Sequence, residues 1–189
     1  MKLKIYIFIL LTSLLTSCVA LLVAGGAAAG GLIVYDRRSV PVMEADTRIF
    51  YQINRTIAND PLFRNSRIAV SSFNQTVLLV GQTPTASLRV LAEKIAKRGG
   101  GVRGVYNQIS IQSPIPFAQR STDTWITSQV RGLMLARKGL QSGSMRVVTE
   151  NGVVYLMGIV SRQQANLAVN EARQVQGVRK VVKVFRYIN

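Results

Sequence analysis

Val-Leu-Leu-Val-Gly at residues 77–81 returns as Val-Tyr-Leu-Met-Gly at residues 154–158, and this repeat decides the fold. The match continues along the chain at the same offset of 77 residues, which is the signature of an internal duplication. The sequence therefore predicts two copies of one module, over residues 46–112 and 122–189. The pairs that match outside the quoted stretches include Asp46 with Asp123, Ile49 with Ile126, Gln52 with Gln129, Val70 with Val147 and Asn74 with Asn151.

Each module reads as a helix, two strands, a second helix and a last strand. Asp46 and Asp123 stand where a capping residue would begin the first helix. Asn74-Gln75 and Asn151-Gly152 mark tight turns between the first two strands, and Asn-Gly is a strong hairpin signal. The predicted fold class is α+β, with two tandem α-β-β-α-β modules, each placing two helices on one face of a three-stranded mixed sheet.

The expected element bounds follow from alternating apolar residues, turn residues and helix-ending glycines. In the first module we expect strands at 67–73, 76–81 and 102–111 and a second helix at 84–98; in the second module, strands at 144–149, 153–158 and 178–188 and a second helix at 162–176. Gly81 and Gly158 are interpreted as backbone requirements, either a bulge or a tight exit from the strand. Pro114 and Pro116 favour an extended linker over residues 113–121. Each module alone is small for a self-sufficient core, so docking of the two is expected.

The N-terminus has the layout of a bacterial export signal. Lys2 and Lys4 precede an apolar run that begins at Ile5, and Leu-Thr-Ser at residues 15–17 leads directly to Cys18. This arrangement resembles the lipobox of bacterial lipoproteins, which implies a signal peptide over residues 1–17 and a lipidated Cys18 as the first mature residue. Residues 18–45 then form a Gly/Ala-rich tether. Val19 stands where an Asp tends to retain Gram-negative lipoproteins in the inner membrane, so the outer membrane is favoured.

A transmembrane helix is the competing interpretation of residues 19–34. The segment has 16 residues, whereas a spanning helix needs about 20. Four glycines weaken it further as a helix. Gly26 and Gly30 form a Gly-x-x-x-Gly pair, but any Gly/Ala-rich tether yields such spacings by chance. An apolar tether on or near the membrane is therefore the better interpretation.

Composition restricts the chemistry. The chain has 24 Lys plus Arg, 8 Asp plus Glu, one Cys and no His, with a formal charge of +16. Zinc fingers, Ser-His-Asp triads and intrachain disulfides are excluded by these counts. The acidic residues show no defensible catalytic pairing, so we expect no enzyme, no catalytic residue, no metal, no cofactor and no small-molecule substrate. The charge favours polyanionic partners, and export together with the lack of clustered stacking aromatics argues against nucleic acid.

The helix predicted over residues 123–137 carries the candidate binding site. A wheel of about 100° per residue places Ile126, Val130 and Leu133 toward the core. Trp125, the only tryptophan, flanks that stripe, and apolar residues reach the side opposite the core. Two interpretations stay open: the face meets the edge of a phospholipid bilayer, or Trp125 covers a loop or the other module. The candidate lipid-binding residues are Trp125, Ser128, Gln129, Arg131, Gly132 and Leu135; the corresponding face of the first module carries Arg48, Gln52 and Arg55.

The α-β-β-α-β order, the two quoted strands and the later Gly-Val-Arg at residues 101–103 and 177–179 resemble the BON domain (bacterial OsmY and nodulation domain). Two such copies behind a lipobox resemble the dual-BON outer-membrane lipoproteins, over nearly the whole chain. The resemblance implies a periplasmic, non-enzymatic protein that binds anionic phospholipid through the first helix of its second module, supports outer-membrane integrity and gathers at division sites. The alternative is a periplasmic scaffold whose same face binds an outer-membrane assembly or peptidoglycan-remodelling protein.

Overall fold

The duplicated sequence folds into two α-β-β-α-β modules in the computed structural model, which describes residues 36–188. The first module consists of α1 (Val40–Asn59), β1 (Arg67–Phe73), β2 (Thr76–Thr83), α2 (Ala86–Lys97) and β3 (Gly104–Ile111). The second consists of α3 (Phe117–Ala136), β4 (Met145–Glu150), β5 (Val153–Val160), α4 (Arg162–Gln174) and β6 (Lys180–Tyr187). The signal peptide, Cys18 and the tether as far as residue 35 lie outside the described residues.

Both sheets have three strands, in the orders β1-β2-β3 and β4-β5-β6. The first two strands of each sheet are antiparallel. The third strand follows the second helix and pairs in parallel with the second strand. The repeat extends to the register, because Val70 pairs with Leu79 and Val147 pairs with Leu156. The predicted fold class, including the mixed character of the sheets, is confirmed.

The central strands are buried on both faces. Val77 and Leu79 pack against the helices of the first module, and Val154 and Leu156 do the same in the second. The alternate residues form a third core in which the two sheets meet. This shared core contains Phe73, Leu78, Val80, Tyr155, Met157, Ile159 and Val184. The helices therefore form the outer layers of the unit, and the sheets dock face to face.

A buried ionic cluster also joins the modules. Glu150, at the end of β4, accepts hydrogen bonds from Arg67 Nη1 at 2.6 Å and from Gln82 Nε2 at 2.6 Å. Gln82 in turn accepts from the backbone N–H of Ile115 in the linker. Glu150 and Gln82 are both buried. One carboxylate thus holds β1, β2 and the linker to the second module.

Both first helices begin earlier than predicted. α1 begins at Val40 and α3 at Phe117, so the linker expected to be extended over 113–121 is helical from Phe117 onward. The prediction that Asp46 and Asp123 cap these helices is wrong, because both lie inside a helix and are buried. The two prolines predicted an extended linker, but Pro116 is the N-cap residue of α3, and a proline at this place is compatible with a helix directly after it.

The two aspartates hold the hairpin turns instead. Asp123 accepts from the backbone N–H groups of Asn151 at 2.7 Å and Gly152 at 2.8 Å. Asp46 accepts equivalent bonds from Asn74 and Gln75, both at 2.7 Å. All four turn residues have positive φ, as a two-residue type I′ hairpin turn requires. The first helix is therefore fastened to its hairpin by one carboxylate in each module.

Gly81 and Gly158 lie within strands, opposite residues of the neighbouring strand. A Cβ at Gly81 would stand 2.0 Å from the carbonyl oxygen of Arg67, and the φ of +126° adds strain. A Cβ at Gly158 would stand 2.8 Å from the carbonyl oxygen of Ser144. In each module, the backbone at the start of the first strand therefore lies too close to the glycine for any residue with a side chain to replace it.

The core-facing stripe of α3 also differs from the wheel in one position. Ile126, Val130 and Met134 are fully buried, whereas Leu133 is 37% exposed. The spacing of four residues throughout keeps Met134 over the core, where the wheel placed Leu133. Within residues 36–188, every helix is too short or too polar to serve as a transmembrane span.

Candidate membrane-binding surface

The outward side of α3 exposes three large apolar side chains. Phe117 is 72% exposed, Trp125 48% and Leu135 45%. Their spacing places them within the same half of the helix surface, away from Ile126, Val130 and Met134. At 1.5 Å per residue they span about 27 Å of helix. We call these three residues the apolar strip.

Small and polar residues fill the spaces in the apolar strip. Ser128, Gln129 and Gly132 are all exposed. The Ser128 hydroxyl donates to the carbonyl oxygen of Thr124, which leaves its oxygen open as an acceptor. A Cβ at Gly132 would contact nothing within 4 Å, so the helix backbone is open to close approach there. The structure thus brings Trp125, Ser128, Gln129, Gly132 and Leu135 together on one accessible side.

Arg131 lies at the flank of this side. Its Nη2 donates to the carbonyl oxygen of Val147 at 3.3 Å, which turns the guanidinium toward β4. Thr127, one turn earlier, donates to the Thr149 hydroxyl at 2.7 Å along the same flank. Arg131 is therefore exposed and borders the apolar strip on the side of the sheet.

Two residues of this surface were not predicted from the sequence. Phe117 and Arg120 fell in the predicted linker, whereas in the structure they form the first turn of α3. The Arg120 guanidinium lies over the Phe117 ring, 5.3 Å from its centroid, a cation–π arrangement. The signal that could have found them is the spacing of eight residues from Phe117 to Trp125, which keeps both on one helix side.

The first module presents a different surface at the equivalent place. Arg48, Gln52 and Arg55 are exposed on α1, and Gln52 accepts a hydrogen bond from the backbone N–H of Gly100. Tyr51 is 65% exposed and stands edge-on to Phe50. α1 therefore offers one amphipathic ring among charged and polar residues, where α3 offers an apolar strip.

The fold is a pair of docked α-β-β-α-β modules, and the first helix of the second module exposes the apolar strip. The family model of the BON domain matches residues 45–113 and 122–189, and the chain belongs to the BON-domain family. It is 34% identical, over 98% of its length and 96% of the relative's, to "Outer membrane lipoprotein DolP" of Haemophilus influenzae. It is 37% identical to "21 kDa hemolysin" of Actinobacillus pleuropneumoniae, over 76% of this chain and 72% of that protein.

Among solved structures, the C-terminal domain of CdsD, a structural protein of the type III secretion system of Chlamydia trachomatis, matches with a TM-score of 0.32 and 12% identity. It covers 75% of this chain and 98% of that one. The similarity to the outer membrane lipoprotein and the two BON domains confirm the predicted location, an outer-membrane lipoprotein that faces the periplasm of a Gram-negative cell.

Proposed function

We propose that this outer-membrane lipoprotein binds anionic phospholipid through α3 of its second BON domain and has no catalytic role. The observation that carries the proposal is the apolar strip of Phe117, Trp125 and Leu135, exposed on a helix whose opposite side is fully buried. Trp side chains suit the headgroup boundary of a bilayer, because their rings are apolar at one end and polar at the other. Leu135 then reaches acyl carbons.

Charge favours a lipid occupant for this face. The chain carries a net +16, and basic groups near an anionic leaflet contribute about 1 kcal/mol each. Arg120 and Arg131 stand beside the apolar strip without a carboxylate partner among the described residues. An apolar ridge with basic flanks is the arrangement that binds the interface of an anionic membrane.

The lipid anchor would determine the membrane at which this binding occurs. Acylation of Cys18, which lies outside the described residues, would hold the protein at the outer membrane whatever α3 does, because two or more acyl chains anchor stably. α3 then supplies selectivity for anionic or curved regions. We propose that this selectivity supports outer-membrane integrity and gathers the protein at division sites. Replacing Trp125 in the full chain should then disperse a fluorescently tagged protein around the envelope while leaving it membrane-bound.

The test is co-sedimentation of residues 35–189, which form one compact unit, with lipid vesicles. Vesicles with and without phosphatidylglycerol are compared for wild type, Trp125→Glu and Val90→Glu. Val90 is the matched control, since it is 50% exposed on α2 of the other module. We expect binding that needs phosphatidylglycerol, weakens with salt, disappears in Trp125→Glu and persists in Val90→Glu.

Two results would contradict phospholipid binding. One is wild-type protein that stays in the supernatant at low salt; the other is equal loss in both variants, which would indicate a general effect of added negative charge. In the first case, the same face becomes the candidate surface for a protein partner, such as an envelope-assembly or peptidoglycan-remodelling protein.

A further inference from the structure

A cleft opens between the two modules beside α3. It has a volume of about 260 Å³, and its walls are residues 69–71 of β1, residues 146–148 of β4 and the side chain of Arg131. β1 and β4 are edge strands of their sheets, so the cleft exists only where the modules dock. Its mouth adjoins the flank of α3, next to the apolar strip. The two charged side chains in the lining are both arginines, Arg131 and Arg146.

The two arginines make few hydrogen bonds within the described residues. Arg146 makes one long hydrogen bond, 3.5 Å from Nη1 to the Ser71 hydroxyl, and Arg131 makes its bond to the Val147 carbonyl. Each guanidinium has five N–H donors, so most donors of the pair are unused. Among the described residues, neither forms an ion pair with a carboxylate, whereas nearby Arg38 is paired with both Asp36 and Asp46.

Positive charge exceeds negative charge around Arg146. Burial is the largest cause that lowers the pKa of Arg146 below its ordinary value; the charges of Arg38 and Arg131 add to it, and the carboxylates of Asp46 and Asp36 partly oppose it. An arginine remains charged at neutral pH all the same. Three guanidinium groups, those of Arg38, Arg131 and Arg146, thus stand near only two carboxylates, and a bound anion would balance the excess positive charge and occupy free donors.

The duplication indicates that the fold does not need these charges. At the repeat offset, Asn54 stands in the place of Arg131, and Ala69 stands in the place of Arg146. The register of the two hairpins is the same, so these are structurally equivalent positions. The first module builds the same strand and helix with neutral residues at these two positions. The arginine pair is therefore particular to the module that carries the apolar strip.

We propose that this cleft binds a phosphate group, held by Arg131 and Arg146, and that its source is the headgroup of the phospholipid on which α3 lies. The inference rests on the proposed phospholipid binding and deepens it. A guanidinium matches a phosphate with parallel N–H···O bonds, which a lysine does not reproduce. Val147 and Val148 offer apolar walls for the glycerol carbons. With Trp125 in the membrane interface, the cleft would hold the headgroup at a defined position.

The first experiment measures vesicle affinity for Arg146→Gln, Arg146→Lys and Arg173→Gln in residues 35–189. Arg173 is the control, since it is exposed at the end of α4, away from the cleft. We expect about tenfold weaker binding to phosphatidylglycerol vesicles for Arg146→Gln, an intermediate loss for Arg146→Lys, and a smaller, charge-only change for Arg173→Gln. Thermal unfolding should show no loss of stability in Arg146→Gln, because Arg146 makes only one long hydrogen bond within the described residues.

The second experiment titrates glycerol 3-phosphate and inorganic phosphate while the side-chain Nε–H signals of arginine are followed by NMR. We expect saturable shifts for Arg131 and Arg146 and none for Arg173. Absence of these shifts overturns the phosphate site. Shifts without any vesicle defect in Arg146→Gln also overturn the proposal, because the source would then be a free phosphate compound. Wild type that fails to bind vesicles contradicts the proposed function, and the titration still decides whether the cleft binds phosphate.

Discussion

Asp123 joins α3 to the hairpin turn of the second module. Its carboxylate is 4% exposed and satisfies two backbone N–H groups of a turn whose residues both have positive φ. Gln119, one turn earlier on α3, donates a further bond to it at 3.1 Å. The position of α3, and hence of Trp125 two residues further on, is coupled to the hairpin through this side chain.

Asp123→Ala should lower the free energy of unfolding by about 3 kcal/mol, since it leaves two turn N–H groups without their acceptor at about 1–3 kcal/mol each. Urea unfolding of residues 35–189 measures this. Thr122→Ala is the control on the exposed side of α3 and should cost under about 1 kcal/mol. Equal losses in the two variants would mean that the carboxylate does not hold the turn.

Two glycines of the second module provide a prediction with opposite signs. Gly132→Ala should raise stability by about 0.5–1 kcal/mol, because Ala favours the helix and the new Cβ meets only open space. Gly158→Ala should lower it by about 2 kcal/mol, because its Cβ would press on the Ser144 carbonyl. The same urea series measures both, and a loss in Gly132→Ala would show that the position is not open.

Residue-level prediction from sequence succeeded where periodicity alone decides the environment. The exposure of Trp125 and Leu135 follows from their position on the wheel. Asp123 could not be assigned correctly in the same way, because Asp is typical both of helix caps and of buried turn acceptors, and the choice depends on where the helix begins. Arg146 gave no signal, since its cleft is created by the neighbouring module.

At the scale of elements, the length of α3 determines the size of the candidate surface. A helix that began at Asp123 would present Trp125 and Leu135 only. The observed start at Phe117 adds nearly two turns, with the ring of Phe117 covered on one side by Arg120. Pro116 leads into the helix and ends the extended linker, which is why the proline pattern alone placed the boundary too late.

Phe117→Glu should weaken binding to phosphatidylglycerol vesicles by about tenfold, less than Trp125→Glu, because burying one Phe side chain contributes about 1.5–3 kcal/mol. Val90→Glu again serves as the control. The helix content measured by circular dichroism should be unchanged, since Phe117 is exposed to solvent in the first turn of α3. Full wild-type affinity in Phe117→Glu would confine the membrane contact to the C-terminal part of α3.

At the scale of the whole molecule, two modules behave as one unit because their sheets share a core. Most of that core comes from the central strands β2 and β5, which are apolar on both faces. Such uninterrupted apolar runs are typical of strands buried on both sides, and they were the available sequence signal for face-to-face docking. The repeat predicted the modules; the docking mode depends on side chains from both copies and is visible only in the structure.

Glu150→Gln should loosen the docked modules. It removes the charge that Arg67 and Gln82 share, and we expect a loss of about 2 kcal/mol, below the range for a fully buried pair because Arg67 is partly exposed. Glu93→Gln, which affects an exposed pair with Lys97 inside one module, should cost under about 1 kcal/mol. Amide hydrogen exchange in β1 and β4 measures the loosening, and unchanged protection there would contradict the role of Glu150 in docking.

The central claim is that Trp125 enters the membrane interface, and its own fluorescence tests this most directly. Trp125 is the only tryptophan of the chain, so the emission reports that side chain alone. Upon addition of phosphatidylglycerol vesicles to residues 35–189, we expect a shift of the emission to shorter wavelength and quenching by lipids brominated on their acyl chains. Emission that stays unshifted and unquenched, at lipid concentrations where the protein co-sediments, would contradict the account.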